Sequence, residues 1–298
     1  MDAITAVITQ SLILGIMVLG VYISYKILDF PDMSADGSFT LGGAIIAISL
    51  KAGLSCITGS LLALVAGLLA GLLTGILNVK VKISNLLSGI LVMGILYSVN
   101  LRIMGKANIP LFNENHLFKT NFSPLMISLI LLLLFKFSLD LFLKTGMGYT
   151  LKAVGDNTQM AKSLGIEVGK IKILGLMLSN GLISFSGSIM AQYQGFSDIS
   201  MGIGTLVLGI ASIIVGRVFI NKIKHLKETS MIIIGTIIYQ VTIYIAINIG
   251  MAATDLKMIT SLVIIIFLGA GNLKGTCKTN WLRRDLHVKH SKPIKELS

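Results

Sequence analysis

The residues that could carry chemistry in this chain are few and widely spaced. The two cysteines, Cys56 and Cys277, are far apart and lack CxxC spacing, so they indicate neither a disulfide framework nor a zinc site. The four histidines form no HExxH pattern. The segment from Gly165 to Ile171, GIEVGKI, is similar to a P-loop, but it has three residues between its glycines and isoleucine after the lysine. The sequence therefore predicts no metal, nucleotide or catalytic site.

A further set of ionisable groups lies near the end of an apolar segment. Lys136, Asp140 and Lys144 recur at a spacing of four, which places them on one face of a helix. Ionisable groups inside a membrane can form a proton relay. At the end of a span, a snorkelling ion pair explains the same spacing. We favour the ion pair and keep the relay as the alternative.

The elements that must position these groups are apolar helices. Of the 298 residues, 54% are hydrophobic and 13% are charged, whereas a soluble domain carries about 25% charged residues. Several runs with few or no charges are long enough to cross ~30 Å of hydrocarbon as helices. They cover residues 3–25, 57–77, 83–101, 124–143, 173–197, 199–216, 229–254 and the shorter 258–273. The sequence predicts an all-α polytopic membrane protein.

Charge predicts which loops face the cytoplasm. The segments that carry 18 of the 25 Lys and Arg residues are 78–82, 144–172, 217–228 and 272–298. The positive-inside rule places them in the cytoplasm. The same rule explains the net charge of +12 without a nucleic-acid partner, for which no fold is present. We predict a membrane domain over 1–271 and a basic cytoplasmic C-terminal tail over 272–298.

The first fifty residues allow two topologies. Residues 39–50 are short for a full span and suit a re-entrant half-helix. They follow the polar sequence DFPDMSADGS, and a broken backbone at membrane depth is tolerated only against protein or a wet cavity. We predict about eight transmembrane helices plus this half-helix, with the N-terminus inside. The alternative is nine spans with the N-terminus outside.

The half-helix suggests where a solute could cross. Its N–H groups near Gly37 would point toward the membrane interior, where helix N-termini favour carboxylates and broken helices mark transport paths. The alternative is that Asp36 and Ser38 only cap a packed helix. The predicted translocation path is lined by Asp36, Ser38, Thr40, Asn85, Ser88, Asn180 and Ser184.

One predicted span carries small residues at every fourth position. On a helix this spacing forms a single face that permits close approach of a neighbour. We predict that the face packs against another helix; sliding along it during transport is the alternative. The residues of this stripe are Gly59, Ala63, Gly67, Gly71 and Gly75.

The polar segment 144–172 lies between two spans and must stand outside the bilayer. Its centre, from Asp156 to Leu164, predicts a short helix with Asp156 or Asn157 as the N-cap. A capped helix outside the bilayer is a surface that a soluble partner could bind.

The same segment carries a resemblance that extends over about residues 8–275. GYTLKAVGDNTQMAKSLGIEVGKIK is similar to a pattern of the permease family of ABC importers for branched-chain amino acids and ribose-type sugars. The segments DISMGIGTLVLGIASIIVG and Asp29–Gly43 are similar to further segments of that family. Within it, the chain most resembles the uncharacterised amino-acid branch, often proposed to carry aromatic amino acids. The matching positions in the polar segment are Ala153, Gly155, Asp156, Asn157, Ala161, Gly165, Ile166, Val168, Lys170 and Lys172.

The resemblance implies a transport subunit and not an enzyme. ATP and Mg would bind to a separate ABC ATPase subunit, and an extracellular solute-binding protein would deliver the solute. A second permease copy, most simply a homodimer, would complete the complex in the bacterial cytoplasmic membrane. An ion-coupled secondary transporter is the alternative. The implied coupling helix, with Ala161 seated in an ATPase groove, comprises Gly155, Asp156, Asn157, Met160, Ala161, Leu164 and Gly165.

Overall fold

The computed structural model of the chain describes residues 3–119, 122–220 and 227–248, together with Ser261 and Ile265. Ten α-helices and two short strands are formed by these residues. The helices are α1 (Ala3–Val21, continued by a π-helical segment Tyr22–Ile27), α2 (Ser34–Lys51), α3 (Cys56–Val79), α4 (Asn85–Met104), α5 (Pro124–Phe142), α6 (Gly146–Asp156), α7 (Thr158–Ser163), α8 (Val168–Gln194), α9 (Thr205–Ile220) and α10 (Glu228–Asn248). The strands are β1 (Asn108–Pro110) and β2 (Phe196–Asp198), and a 3-10 turn covers Leu117–Lys119.

The predicted all-α polytopic fold is confirmed. Six helices in the described part of the chain are long and apolar enough to cross a membrane, namely α1, α3, α4, α5, α8 and α10. Helix α9 is apolar but shorter. The predicted tail 272–298 lies outside the described residues, as does the predicted span 258–273 apart from Ser261 and Ile265.

Helix α8 is the centre of the structure, and the small-residue stripe of α3 packs against it. A Cβ added at Gly67 or Gly71 would collide with the backbone of Asn180 or Leu176 on α8. At the outer end of the stripe, Gly59 faces Ile46 and Ser49 of α2. The remaining two members behave similarly, since Ala63 is fully buried and Gly75 lies against Ile173. Close backbone approach therefore holds the core together.

The direction of α1 contradicts the predicted N-terminus inside. Helix α1 runs antiparallel to α8, because the hydroxyls of Tyr193, Ser186 and Ser179 donate in turn to the carbonyls of Ala6, Ile13 and Gly20 at 3.3, 2.8 and 2.8 Å. Its first residues therefore lie beside the last turn of α8. We call the end of the bundle that carries segment 144–172 the loop side; the chain begins on the opposite side, as in the nine-span alternative.

The helix predicted over 39–50 is longer than expected and begins five residues earlier. Helix α2 has 18 residues and begins at Ser34, so it rises about 27 Å, but it is not among the described helices that are apolar enough to cross a membrane. Its first residue, Ser34, contacts Thr74 near the loop-side end of α3. Its later residues Ile46 and Ser49 face Gly59 at the opposite end of α3. The polar residues that suggested a loop belong to its first turns, where the protein satisfies their hydrogen bonds.

Helix α9 also begins inside the protein. Its first residues lie beside Asp36 of α2, and its last turn reaches Tyr22 through Arg217 and Glu228 at the loop side. The chain enters from the opposite side through β2, which pairs antiparallel with β1 in the register Asn108↔Asp198. Segment 199–204 then descends to the buried start of α9.

Candidate functional site

The polar segment on the loop side forms two helices, α6 and α7, joined at Asn157. The Asn157 side-chain oxygen accepts hydrogen bonds from the backbone N–H groups of Gln159 and Met160, both at 3.0 Å. Asn157 is therefore the N-cap of α7, and Asp156, the other predicted cap, is the last residue of α6. At the far end, Gly165 ends α7 with a φ of +76°, a left-handed conformation that glycine adopts readily.

The two faces of α7 differ sharply. Met160 and Leu164, one turn apart, are 61% and 65% exposed. Ala161 points the other way and is 1% exposed, within the apolar core that includes Val168 of α8. The prediction that Ala161 packs into a partner's groove is therefore wrong, because this side chain is covered by its own chain. The surface available to a partner is the apolar pair Met160 and Leu164.

Helix α6 ties this surface to the membrane helices. A Cβ at Gly155 would collide with the carbonyl group of Ile27, at the end of the π-helical extension of α1. Val154 and Leu151 on α6 are fully buried in the main core. A displacement of α7 would therefore be transmitted to α1 and α8 through packed contacts, since close-packed interiors transmit strain.

A buried polar cluster lies where α2, α3 and α8 meet. The Asn180 amide donates to Asp32 Oδ2 at 2.7 Å, and its oxygen accepts from the hydroxyl of Ser38 at 2.7 Å. Asp32 Oδ1 accepts from the backbone N–H and hydroxyl of Ser34 at 2.9 and 2.6 Å. The hydroxyl of Thr74 donates to that of Ser34 at 3.1 Å. All five residues are 0% exposed, and both oxygens of the buried Asp32 carboxyl group have hydrogen-bond partners.

Asp36 and Thr40 hold the buried start of α9. The Asp36 carboxylate accepts from the backbone N–H groups of Gly204 and Leu206 and from the hydroxyl of Thr205, at 2.9, 2.9 and 3.0 Å. Thr40 accepts from the N–H of Gly202 at 3.1 Å. Asp36 therefore does cap a helix, but that helix is α9 and not its own.

The other predicted path residues make single contacts inside the bundle. Ser184 donates to the carbonyl of Ala63 at 2.7 Å, and Ser88 donates to that of Asn85 at 2.8 Å. The Asn85 oxygen accepts from Asn78 at 2.8 Å, near the loop-side ends of α3 and α4. The structure thus brings Ser38 and Asn180 together, and Ser184 lies one turn further along α8, where it borders Gly67 together with Asn180.

Sequence reasoning missed a cavity of about 870 Å³ on the opposite side of the bundle. It lies between α1, α8, α9 and α10 and reaches the start of α9 at Gly204 and Thr205. Its polar walls come from elements far apart in the chain, so no local pattern could have identified them. These polar residues include Gln10, Gln194, Asp198 and Gln240.

Asp140 makes an ion pair, although with another partner than predicted. Lys227 and Thr229, at the start of α10, donate to its two carboxylate oxygens at 2.9 and 2.7 Å. The prediction of a pair with Lys136 or Lys144 is wrong, because the side chain of Asp140 faces α10 across the bundle. Spacing along one helix carries no information about a partner 87 residues away.

Comparisons with known proteins agree with this architecture. Residues 3–269 match the family model described as "Branched-chain amino acid transport system / permease component". The chain is 63% identical to a tyrosine transport system permease protein of Clostridioides difficile over 93% of its own length and 94% of that protein. It is 35% identical to an uncharacterized protein of Rickettsia prowazekii, over 91% and 98% of the two lengths.

More distant similarity covers a smaller part of the chain. An autoinducer 2 import system permease protein of Salmonella paratyphi B is 31% identical over 25% of this chain and 22% of that protein. No solved structure matches the chain.

Proposed function

Because the chain belongs to the family of permease components of branched-chain amino acid transport systems, we propose that it forms the pathway of an ABC importer for tyrosine or a related aromatic amino acid. The observation that carries this proposal is the 63% identity, over nearly the full length of both chains, to a tyrosine transport system permease. A solute-binding protein delivers the amino acid from outside, and a separate ATPase subunit binds ATP and Mg. The protein lies in the bacterial cytoplasmic membrane, with the loop side in the cytoplasm.

Helix α7 is the point of attachment for the ATPase in this proposal. Its exposed residues Met160 and Leu164 form an apolar pair on a polar segment, which suits a groove in a soluble subunit. When ATP closes the ATPase dimer, a push on α7 passes through α6 to the end of α1 at Ile27. The same push reaches α8 through the buried Ala161.

The buried polar cluster would act as the inner closure of the pathway. Asn180 holds α8 to α2 through Asp32 and Ser38, at the middle of the longest helix. Separating these helices would release hydrogen-bonding groups toward the solute, as broken helices and buried polar groups do in other transporters. The predicted path residues Asn85 and Ser88 lie on α4 and Ser184 lies on α8, and all three remain part of this proposal.

Two copies of the chain complete the transporter. In this proposal each permease subunit contributes one coupling helix, whereas the ATPase acts as a dimer with two docking sites. A two-fold homodimer provides one coupling helix for each of the two docking sites and requires no further permease chain.

The substrate is tested with the binding protein that co-purifies with the complex. Its ligand is identified by mass spectrometry, and uptake of labelled tyrosine into proteoliposomes is then challenged with unlabelled tyrosine, phenylalanine or leucine. We expect the aromatic amino acids to compete and leucine to compete weakly. Absence of tyrosine uptake, together with leucine as the ligand found in the binding protein, would assign the importer to branched-chain substrates.

A further inference from the structure

We propose that a basic cavity on the loop side, lined by the ends of α1 and α5, by α6, by Arg217 of α9 and by the start of α10, binds a phosphate group. The cavity has a volume of about 540 Å³. Five cationic side chains line it: Lys26, Lys144, Lys152, Arg217 and Lys227. Nothing in the proposed transport function requires such a site.

Internal ion pairs neutralise only part of this charge. Arg217 lies 3.5 Å from Glu228, and Lys227 lies 2.9 Å from Asp140. Glu228 also accepts a hydrogen bond from Tyr22 at 2.7 Å, so its carboxylate is held by two partners. On the α10 side of the cavity, the two cations are therefore matched by two carboxylates, and the contacts hold these side chains in place.

The α1 and α6 side of the cavity has an excess of positive charge. Lys26, Lys144 and Lys152 lie within 4.0 Å of no carboxylate in the described part of the chain. Lys152 is instead oriented by the carbonyl of Leu143 at 3.4 Å and by the ring of Tyr149 at 5.6 Å. Three acids line the cavity, namely Asp140, Glu228 and the exposed Asp156. Against the five cations they leave a net charge of two positive units among the lining residues.

The positive-inside rule alone does not account for this arrangement. That rule requires lysines on the loop side, and Lys80 and Lys82, which are exposed as Lys26 and Lys144 are, satisfy it without lining this cavity. Lys26, Lys144 and Lys152 differ because three separate segments aim them into one cavity. Converging cations at the ends of spans are the arrangement that binds phosphate head groups.

The phosphate could come from an anionic lipid or from solution. The cavity lies at the ends of membrane helices, where a head group would reach it, and a free phosphate could enter from the cytoplasm. An anion there would lie beside α6 and next to Asp156, one residue before the cap of α7. Its binding would therefore bias the position of α7, on which the proposed coupling rests.

The test measures binding and does not depend on transport. The full chain with its ATPase subunit is placed in phosphatidylcholine nanodiscs, with or without phosphatidylglycerol, and lipid retention is measured by native mass spectrometry. Titration with inorganic phosphate in pure phosphatidylcholine discs forms the second arm. The cavity variant carries Lys26→Gln, Lys144→Gln and Lys152→Gln. The matched control loses three loop-side lysines outside the cavity, through Lys80→Gln, Lys82→Gln and Lys170→Gln.

We expect anion binding by the native chain and the control, and loss on the order of a hundredfold in the cavity variant, at about fivefold per lysine. Loss in the lipid arm identifies a head group as the ligand, and loss in the phosphate arm identifies a soluble anion. Should the triple variant fail to fold, the three single variants report the same loss at about fivefold each. Equal binding by cavity variant and control overturns the proposal, as does loss of ATPase association without any change in anion binding.

Discussion

The hydrogen bonds of Asn180 offer the sharpest test of how this bundle is held closed. Replacing Asn180 with alanine removes the donor to Asp32 Oδ2 and the acceptor of the Ser38 hydroxyl. Both groups are 0% exposed, so water cannot replace the lost partner without opening the packing. Ser184→Ala, on the same helix, is the matched control because it removes one neutral hydrogen bond, to the carbonyl of Ala63.

The expected free-energy changes differ enough to be distinguished. A buried polar group left without a partner costs about 1–3 kcal/mol, and more if it is charged. Asn180→Ala removes one of three hydrogen bonds to the Asp32 carboxyl group and leaves the Ser38 hydroxyl without its acceptor, so we expect a loss of about 1–3 kcal/mol in unfolding free energy. Hydrogen bonds between membrane helices average only ~0.6 kcal/mol, and Ser184→Ala should fall near that value.

Both variants are measured by denaturant titration in mixed micelles, with helix content as the signal. A third variant, Ser38→Ala, removes one donor and leaves Asn180 with its other contacts, so its loss should be intermediate. If Asn180→Ala destabilises the protein no more than Ser184→Ala, the cluster does not stabilise the closed state and the reasoning is refuted.

Two further predictions concern the partner surface and the packing stripe. In a pull-down titration, the double variant Met160→Ser, Leu164→Ser should bind the ATPase roughly tenfold to a hundredfold more weakly, since each side chain loses apolar burial. The control Met126→Ser, at a residue of α5 that is 57% exposed, should bind it unchanged. Gly71→Ala should lower the unfolding free energy by about 1–3 kcal/mol because its Cβ meets the α8 backbone. Gly94→Ala, with nothing within 4 Å, should be neutral or stabilising; equal effects would contradict the packing argument.

Hydropathy and charge predicted the spans well because both properties are local. The predicted runs 57–77 and 83–101 became α3 (Cys56–Val79) and α4 (Asn85–Met104), with boundaries shifted by a few residues. The direction of α1 could not be obtained in this way. Its run carries no charge between residues 3 and 25, so the positive-inside rule gave little information about its direction.

The errors at the candidate site come from contacts between distant segments. Asp36 suggested a break in its own helix, but its carboxylate caps α9 from 168–170 residues away. Ala161 matched a family pattern, yet its burial against its own chain is decided by where α8 passes. Ser38 and Asn180 were predicted to lie near each other, and they do, because small polar groups in apolar spans need each other as partners.

The most direct test of the central claim is ATP-dependent uptake of labelled tyrosine by proteoliposomes that contain this chain, its ATPase and its binding protein. Uptake should require ATP and Mg on the ATPase side and should persist when an ionophore removes the proton gradient. It should also fall sharply with the Met160→Ser, Leu164→Ser variant, while Met126→Ser transports normally. Uptake that continues without ATP and stops with the ionophore would contradict the account and identify an ion-coupled transporter.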